Sequence, residues 1–431
     1  MRVVRIIARL NVGGPARHVV WLTAGLPAEC ETVLVTGRVP QGEDDMSYFA
    51  AANGVTPLLI PQMSREISPK DALTVWKLYR LFVRLRPDLV HTHTAKAGTL
   101  GRLAGLLYRW LTPATLWGRP RRCLFVHTYH GHIFHGYYGA LRTRLFLTIE
   151  KILARLATDR IIVLSAQQYR EIHEQFGVGN SAQFAVIPLG IDTQVYGDWT
   201  NRRNALRQEL AAGERDVLVG IVGRLTGVKN HALFLKAAAR YKKMYGEVMR
   251  AGRVRFVVIG DGQLRGELEE QARALALHSD VEFLGTRDDP ENFYPALDVV
   301  ALTSRNEGTP LTLIEAMANA RPVISTAVGG VVDLLGDALA SSGREGVSYR
   351  LCERGVLVQP GDVEGFCAGL ERLIADEELR RELGQRGRHL IEQSYSKERL
   401  LADIMSLYRE LTQRKKVWSL ESEVWSQKTE V

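Results

Sequence analysis

The sequence is poor in cysteine, with four in 431 residues. Cys30, Cys123, Cys352 and Cys367 lie far apart and form no C-x-x-C pair. That excludes a disulfide framework and a thiolate metal site, and leaves buried free thiols in a reducing, cytoplasmic setting as the expectation. No uninterrupted apolar run reaches the roughly 18 residues of a membrane span. The opening stretch, MRVVRIIARLNVGG, has its apolar segment broken by Arg5 and Arg9, with no small-residue cleavage site after it. It reads as a first strand rather than a signal peptide. There is no internal repeat, no low-complexity tract, no nucleotide P-loop and no D-x-D metal motif in a plausible place. What the chain has in excess is positive charge, +8 overall. Residues 61–150 hold fourteen Lys and Arg against Glu66, Asp71, Asp88 and Glu150, so this region carries 14 − 4 = +10 and the rest is nearly balanced. No nucleic-acid recognition motif accompanies the charge, so nucleic acid is not an expected partner. An anionic membrane surface and a merely solvated basic face both remain open.

The most informative stretch is 297–330, LDVVALTSRNEGTPLTLIEAMANARPVISTAVGG. An apolar run at 297–302 has the pattern of a strand buried on both faces. A loop follows at 304–308, then Thr309 as N-cap and Pro310 at the first helical position. A helix is expected over 311–319, ending before Arg321-Pro322, with a further strand at 323–325. Glu307 falls in the loop and Glu315 eight positions later in the helix. The loop lies at the carboxyl end of a strand, where open α/β sheets bind ligands. The helix start offers unpaired N–H groups and a positive dipole end, suited to phosphate, while carboxylates accept hydrogen bonds from sugar hydroxyls. An anion flanked by hydroxyl readers is what a nucleotide sugar requires. Two solvated acids near a helix start would show the same spacing.

A strand at 3–8 leads through Asn11-Val-Gly13-Gly14-Pro15 into a helix at 17–26. The glycine pair lets backbone approach a ligand closely. Strands are expected at 31–36 and 55–60, a helix at 69–85, and a strand at 89–92. His91-Thr-His93 precedes a helix at 96–111, followed by Trp110, Trp117 and the basic cluster 119–122. That combination suits either a membrane surface or an ordinary packing helix with a basic loop. The strand at 124–129 runs into His130-Gly-His132-Ile-Phe-His135. Spacings of two and three residues are not the i, i+4 pair of a helical zinc site, and no acid lies nearby in sequence, so a single histidine acting on a ligand is the more economical reading. Strands at 161–165 and 185–188 close this half.

The boundary is placed near residue 195, because a new strand series begins at 216: strands at 217–222, 256–259, 281–284, 299–302 and 323–325, with helices between. Gly223-Arg224 and Lys229 sit in a βα loop where two cations can converge on a diphosphate. Gly260-Asp-Gly262 resembles part of a dinucleotide fingerprint, but Gly266 breaks the G-x-G-x-x-G spacing. Helices are expected at 362–373, 377–394 and 397–413, and a polar, partly disordered tail at 414–431.

Together these stretches resemble the retaining glycosyltransferases of family 4, group 1, over about residues 1–412. The most specific element is Glu307 and Glu315, matching the family's E-x7-E motif. The Gly13-Gly14 loop, the His130-Gly stretch, the Gly223-Arg224…Lys229 loop and Gly260-Asp-Gly follow in the expected order. The resemblance implies an α/β chain of GT-B fold, two Rossmann-like doubly wound domains (1–195 and 196–396) facing across a cleft, with the final helix, about 397–413, packing back on the first. It implies a metal-independent hexosyltransferase without a cofactor. The nucleotide sugar, UDP-linked by family expectation, would be held mainly by the second domain. By this resemblance Arg224 and Lys229 bind the donor diphosphate with amides near Gly308, Thr309, Pro310 and Leu311, and Gly260 lies close by. The segment 285–288, with Arg287, lines the base. Glu315 meets the ribose hydroxyls, Glu307 positions the transferred sugar, and His130 faces the sugar near the reacting carbon. Gly13 and Gly14 close over the phosphates, and Asn11, His93 and Lys96 lie on the acceptor side. A glycan or lipid-linked acceptor at the inner face of a membrane is the expected partner, in cell-surface polysaccharide or glycolipid synthesis. A small soluble acceptor is the alternative. A 2-epimerase of the same architecture, a non-catalytic nucleotide-sugar-binding scaffold and a dehydrogenase each fit the motifs less well.

Overall fold

The computed structural model describes all residues except 41–44, 65–67, 119, 132–138, 247, 250–251, 345–346 and 429–431, and the backbone alone at 140, 248–249, 252, 341–344, 347 and 414–428. The chain divides into two compact units. The first comprises Met1–Leu164, Tyr169–Gly190 and Lys397–Val431, and the second Ser165–Gln168 and Ile191–Ser396.

The first unit is built on β1 (Arg2–Ile7), β2 (Glu31–Thr36), β3 (Leu58–Leu59), β4 (Leu89–His93), β5 (Leu124–Thr128), β6 (Arg160–Val163) and β7 (Phe184–Val186). All pair in parallel, in the order β3-β2-β1-β4-β5-β6-β7. Between them run α1 (Gly14–Ala24), α2 (Ser47–Ala52), α3 (Lys70–Leu85), α4 (Ala95–Trp110) and α5 (Ala140–Ala157), while the short α6 (Ala166–Tyr169) has its first three residues in the second unit. Right-handed crossovers put α1 and α2 on one face of the sheet and α3, α4 and α5 on the other. Leu78, Leu81 and Phe82 of α3 accordingly share a core with Leu100, Ala104 and Tyr108 of α4. Gly98, Gly101 and Gly105 leave room for His127, Thr92 and Phe125, so α4 lies close on the strands.

The second unit has α7 (Asn204–Glu209), β8 (Val217–Val222), α8 (His231–Tyr245), β9 (Val248–Met249), β10 (Gly252–Ile259), α9 (Arg265–Ala274), β11 (Val281–Gly285), α10 (Pro290–Ala296), β12 (Val299–Leu302), α11 (Leu311–Ala318), β13 (Val323–Thr326), α12 (Val331–Leu335), β14 (Ala338–Arg344), β15 (Val347–Cys352), β16 (Gly355–Val358), α13 (Val363–Ala375) and α14 (Glu377–Ser394). The order β11-β10-β8-β12-β13-β16 is parallel, and β15 and β14 extend it as an antiparallel edge. In each sheet the first strand of the unit has neighbours that run off to opposite sides. The topological switch points therefore lie between β1 and β4 and between β8 and β12.

The last helix, α15 (Lys397–Lys428), belongs to the first unit. Leu400, Ile404, Leu407, Tyr408 and Leu411 share a core with Leu22 of α1 and with Leu26 just after it. Tyr408 Oη lies 2.6 Å from His91 Nδ1 and accepts from the buried Arg5 guanidinium at 3.3 Å. Helix α15 is longer than the 397–413 expected and takes in most of the segment read as a polar tail.

Several expectations need correction. The third strand is two residues long, not six, because Leu58 and Leu59 sit on an exposed edge. Helix α5 and the strands β14, β15 and β16 have no counterpart in the expected pattern. Ser165–Gln168 goes with the second unit. All four cysteines are buried and free. Among the described residues no helix is long and apolar enough to cross a membrane.

Candidate functional site

In the second unit, the loops after β8 and β12 flank the switch point and are tied to each other. Thr303 Oγ1 donates to the carbonyls of Lys229 and Asn230 (both 3.0 Å), and Arg305 N–H donates to Val228 O (2.8 Å). On this base Lys229 Nζ meets Glu307 Oε1 at 2.6 Å, and Ser304 Oγ donates to the same oxygen at 2.6 Å. Both partners are largely enclosed, so the pair is held far better than a solvated one. Glu307 Oε2 takes no hydrogen bond among the described residues and can accept one from a ligand hydroxyl. Arg224 lies in the same loop as Lys229, is exposed, and makes no ion pair among the described residues.

Helix α11 starts at Leu311 as expected, but its cap differs. Pro310 is the cap residue, with extended backbone, and Thr309 does not cap. A proline carbonyl there accepts from Leu313 and Ile314 N–H (3.1 and 3.3 Å), leaving the amides of the first turn ahead of it for an anion. The Thr309 hydroxyl is buried with no partner among the described residues, an orphan that an incoming acceptor atom would satisfy. Glu315 lies inside the helix, buried, accepting from Tyr294 Oη at 3.1 Å.

Two glycine contacts shape the same carboxyl edge. Gly260, at φ 130°, has the backbone of Gly223 where a Cβ would stand, so the loops after β8 and β10 touch main chain to main chain. Gly329, at φ 49°, abuts Glu307 in the same way, and Gly330 N–H donates to Gly308 O at 2.7 Å. The sequence reading gave Gly329 and Gly330 no role, although the G-G pair after a strand was the available signal.

Arg287 is committed within the second unit. Its guanidinium is clamped by Glu209 (2.7 and 2.8 Å) and Asp289 (2.8 and 2.9 Å), and these hydrogen bonds push its pKa up. The side chain is a brace between α7 and the loop after β11, while the backbone of 285–288 remains at the carboxyl edge. Lys96 is likewise committed: it pairs with Asp71, joining the starts of α3 and α4.

In the first unit, Gly13 is the cap of α1 with φ 153°, followed by Gly14 and Pro15 in the first turn. Asn11 bridges to Asp45. His93 at the end of β4 and His130 beyond β5 come together, with Nδ1 and Nε2 3.0 Å apart. His18 of α1 joins them, its ring centroid 4.8 Å from that of His130 and 5.5 Å from that of His93. His91 stands on the same side of β4, and its Nε2 bonds Thr128 Oγ1 at 2.7 Å. His127 turns to the other face, bonded to Thr92 at 2.9 Å. Burial holds His18, His91, His93 and His127 well below the usual imidazole range and lowers His130 to about 3. All five are neutral at pH 7, fit to accept or donate one hydrogen bond each. His132 and His135 lie outside the described residues, as does Arg119. A different triad is assembled, His18, His93 and His130, with one ligand atom from each within 4.8 Å of the others. Sequence reasoning missed His18 and His127. His91 and His93 were findable as a period-two pair on one strand face.

Residues 12–195 match the profile described as Glycosyltransferase Family 4, and residues 202–390 that of Glycosyl transferases group 1. A UDP-Gal:alpha-D-GlcNAc-diphosphoundecaprenol alpha-1,3-galactosyltransferase of Escherichia coli is 29% identical over 329 residues, 76% of this chain and 77% of that one. The capsular polysaccharide biosynthesis glycosyltransferase CapM of Staphylococcus aureus is 26% identical, over 80% of this chain and 83% of that one. Among solved structures, Anabaena HepE in complex with UDP and glucose superposes with a TM-score of 0.72 at 20% identity, covering 95% of this chain and all of that one. The fold is GT-B, and the chain belongs to the family 4, group 1 glycosyltransferases, as a hexosyltransferase.

Proposed function

We propose that the enzyme transfers a hexose from a UDP-sugar to a hydroxyl of a lipid-linked or polysaccharide acceptor, with retention at the anomeric carbon and without a metal ion. The observation that carries this reading is the Lys229–Glu307 pair beside the start of α11, with Glu315 buried inside that helix. Lys229, the free-standing Arg224 and the first-turn amides of α11 supply fixed positive charge where a leaving diphosphate gains negative charge. As the bond from the anomeric carbon to the diphosphate oxygen breaks, the acceptor oxygen bonds to that carbon on the same face. Its proton passes to the departing phosphate. No protein nucleophile is needed, and Glu307, held by Lys229 and Ser304, orients a sugar hydroxyl. The galactosyltransferase and capsular relatives support a UDP-linked donor and an undecaprenyl-type or polysaccharide acceptor. A lipid-linked acceptor would place the reaction at the cytoplasmic face of a membrane.

Thermal shifts with UDP, GDP, ADP and their sugar conjugates, with and without EDTA, test the donor side. UDP stabilises the protein equally in both conditions, and Arg224→Ala abolishes the shift. Glu315→Ala weakens UDP binding about thirty-fold, the worth of about 2 kcal/mol for hydrogen bonds to a charged group. Equal affinity in wild type and Glu315→Ala would remove Glu315 from the donor site, and an EDTA-sensitive shift would remove the metal-free mechanism. Proton NMR of the first-formed product decides retention. His130→Ala lowers kcat by about 100-fold while donor Kd changes less than about three-fold, because a neutral imidazole at the sugar contributes mainly when charge develops. A variant that loses affinity and keeps kcat would reverse that assignment.

A further inference from the structure

The outer face of α3, α4 and α5 in the first unit is unusual in two ways at once. It is apolar where a water-facing layer should be polar. Leu73 and Trp76 on α3, Leu107 and Trp110 on α4, and Leu145 and Leu156 on α5 are all exposed. Leu116 and Trp117, in the short 3-10 turn Pro113–Trp117 after α4, are 88% and 83% exposed, and Leu141 at the start of α5 is 82% exposed. On α5 the exposed Leu141, Leu145, Ile152 and Leu156 fall within an arc of about 60° at 3.6 residues per turn. A side that faced only water would not keep one such stripe.

The second feature is charge of one sign. Arg80 and Arg84 on α3, Arg122 after the 3-10 turn, and Arg142, Arg144 and Arg155 on α5 are exposed. No acid is exposed on α3, α4, the 3-10 turn or α5 among the described residues: Asp71 is tied to Lys96, and Glu150 is buried against Arg102 at 2.7 Å. On α5, Arg144 and Arg155 border the apolar stripe on one edge and Arg142 on the other. Apolar rows edged by arginines, with two tryptophans at their ends, match the cross-section of an anionic bilayer, with acyl chains under a layer of phosphates.

We infer that the α3–α4–α5 face, with the 3-10 turn as its tip, docks on an anionic lipid surface, the side chains of Leu116, Trp117 and Leu141 entering the interface and the arginines meeting lipid phosphates. This goes beyond the transfer reaction, and binding to vesicles is read without donor or acceptor. A failure here and a failure of the transferase reading are therefore distinguishable.

The full chain is floated with vesicles of phosphatidylcholine alone or with added phosphatidylglycerol. It partitions onto the phosphatidylglycerol vesicles and is released as salt rises. The double variant Leu116→Glu with Trp117→Glu lowers partitioning at least ten-fold, as expected for two lost apolar anchors. Arg142→Glu with Arg144→Glu lowers it about thirty-fold and removes the salt dependence in part. Leu339→Glu, at an exposed leucine of the second unit, changes nothing. Because all these side chains are exposed, the melting temperature and the UDP-induced shift stay at wild-type values, so lost binding cannot be ascribed to unfolding. Wild-type partitioning by both double variants would overturn the inference. So would indifference to phosphatidylglycerol, or a stable dimer in solution that the Leu116→Glu, Trp117→Glu variant dissociates.

Discussion

Between pH 7 and pH 5 the first unit loses stability, and it does so before the second. His18, His91, His93 and His127 are buried, and each has a pKa well below 6.5 in the folded state; His130 lies at about 3. In the unfolded chain each returns to about 6.5. A lowered folded pKa means that the unfolded state binds more protons through the whole interval between the two values. Stability is then complete above about pH 6.5 and is lost progressively as pH falls toward the folded pKa. At pH 5, still above the value of about 3 for folded His130, that histidine alone removes about 2 kcal/mol, and the other four act in the same direction. The groups facing the cluster make protonation harder. Arg5 and Arg399 add positive charge near His18, and Arg102 adds it near His127. The second unit has one histidine of this kind, His231, lowered to about 4 by burial and by Lys229. Hydrogen exchange resolved by peptide at pH 7.5 and pH 5 reads the two units separately. Fast exchange in β1, β4 and β5 at pH 5, with β8 and β12 still protected, is the expected result. Equal protection of both sheets at the two pH values, or earlier loss in β8 and β12, would show that the imidazoles titrate near 6.5 in the folded protein.

That cluster marks where the sequence stops being legible. The strand, loop, helix and strand around Glu307 and Glu315 are read correctly because they are consecutive, so their signals are local. The parallel strands are read for the same reason: β8, β10, β12 and β13 are short apolar runs between turn signals. The histidines arrive from α1, β4, β5 and the loop after β5, and only the order β1-β4-β5 makes them neighbours. Helix α5 fails for a different reason. Its inward residues, Leu153, Ala154 and Ala157, and its outward ones, Leu141, Leu145, Ile152 and Leu156, are both apolar, so no single face stands out. The apolar outer face that hides the helix from the sequence is the one that gives it a surface to bind. The partners of Arg287 and Lys96 are hidden for a third reason, that a cation's partner is fixed in three dimensions. Glu209 is 78 positions from Arg287 and Asp71 is 25 from Lys96.

Gly329→Ala abolishes transfer while leaving a folded protein, by at least about 100-fold in kcat/KM. Gly329 has φ 49°, and a Cβ there would stand 1.9 Å from the Glu307 carbonyl oxygen and 3.3 Å from that of Gly308. Normal separation needs a shift of about 1 Å, and both atoms are backbone, so no side chain can rotate away. The strand end is held by Thr326 Oγ1 donating to Ser304 O at 2.6 Å, which leaves the Glu307–Gly308 segment as the part that yields. Moving it carries Glu307 from Lys229 and Ser304 and shifts the approach to α11, and a misplacement of about 1 Å costs about 100-fold in rate. Positive φ alone adds about 1–2 kcal/mol of instability for an alanine. Gly361→Ala separates the two effects. Gly361 has φ 87° but nothing within 4 Å of its Cβ position. It suffers the backbone penalty without the collision, so its melting temperature falls and its kcat/KM does not. If Gly329→Ala matched Gly361→Ala in both measurements, the contact with Glu307 would be incidental. If it lost activity at temperatures where circular dichroism shows a native fold, the glycine pair would be part of the catalytic apparatus, present so that the main chain of one βα loop can set the position of an acid on the next.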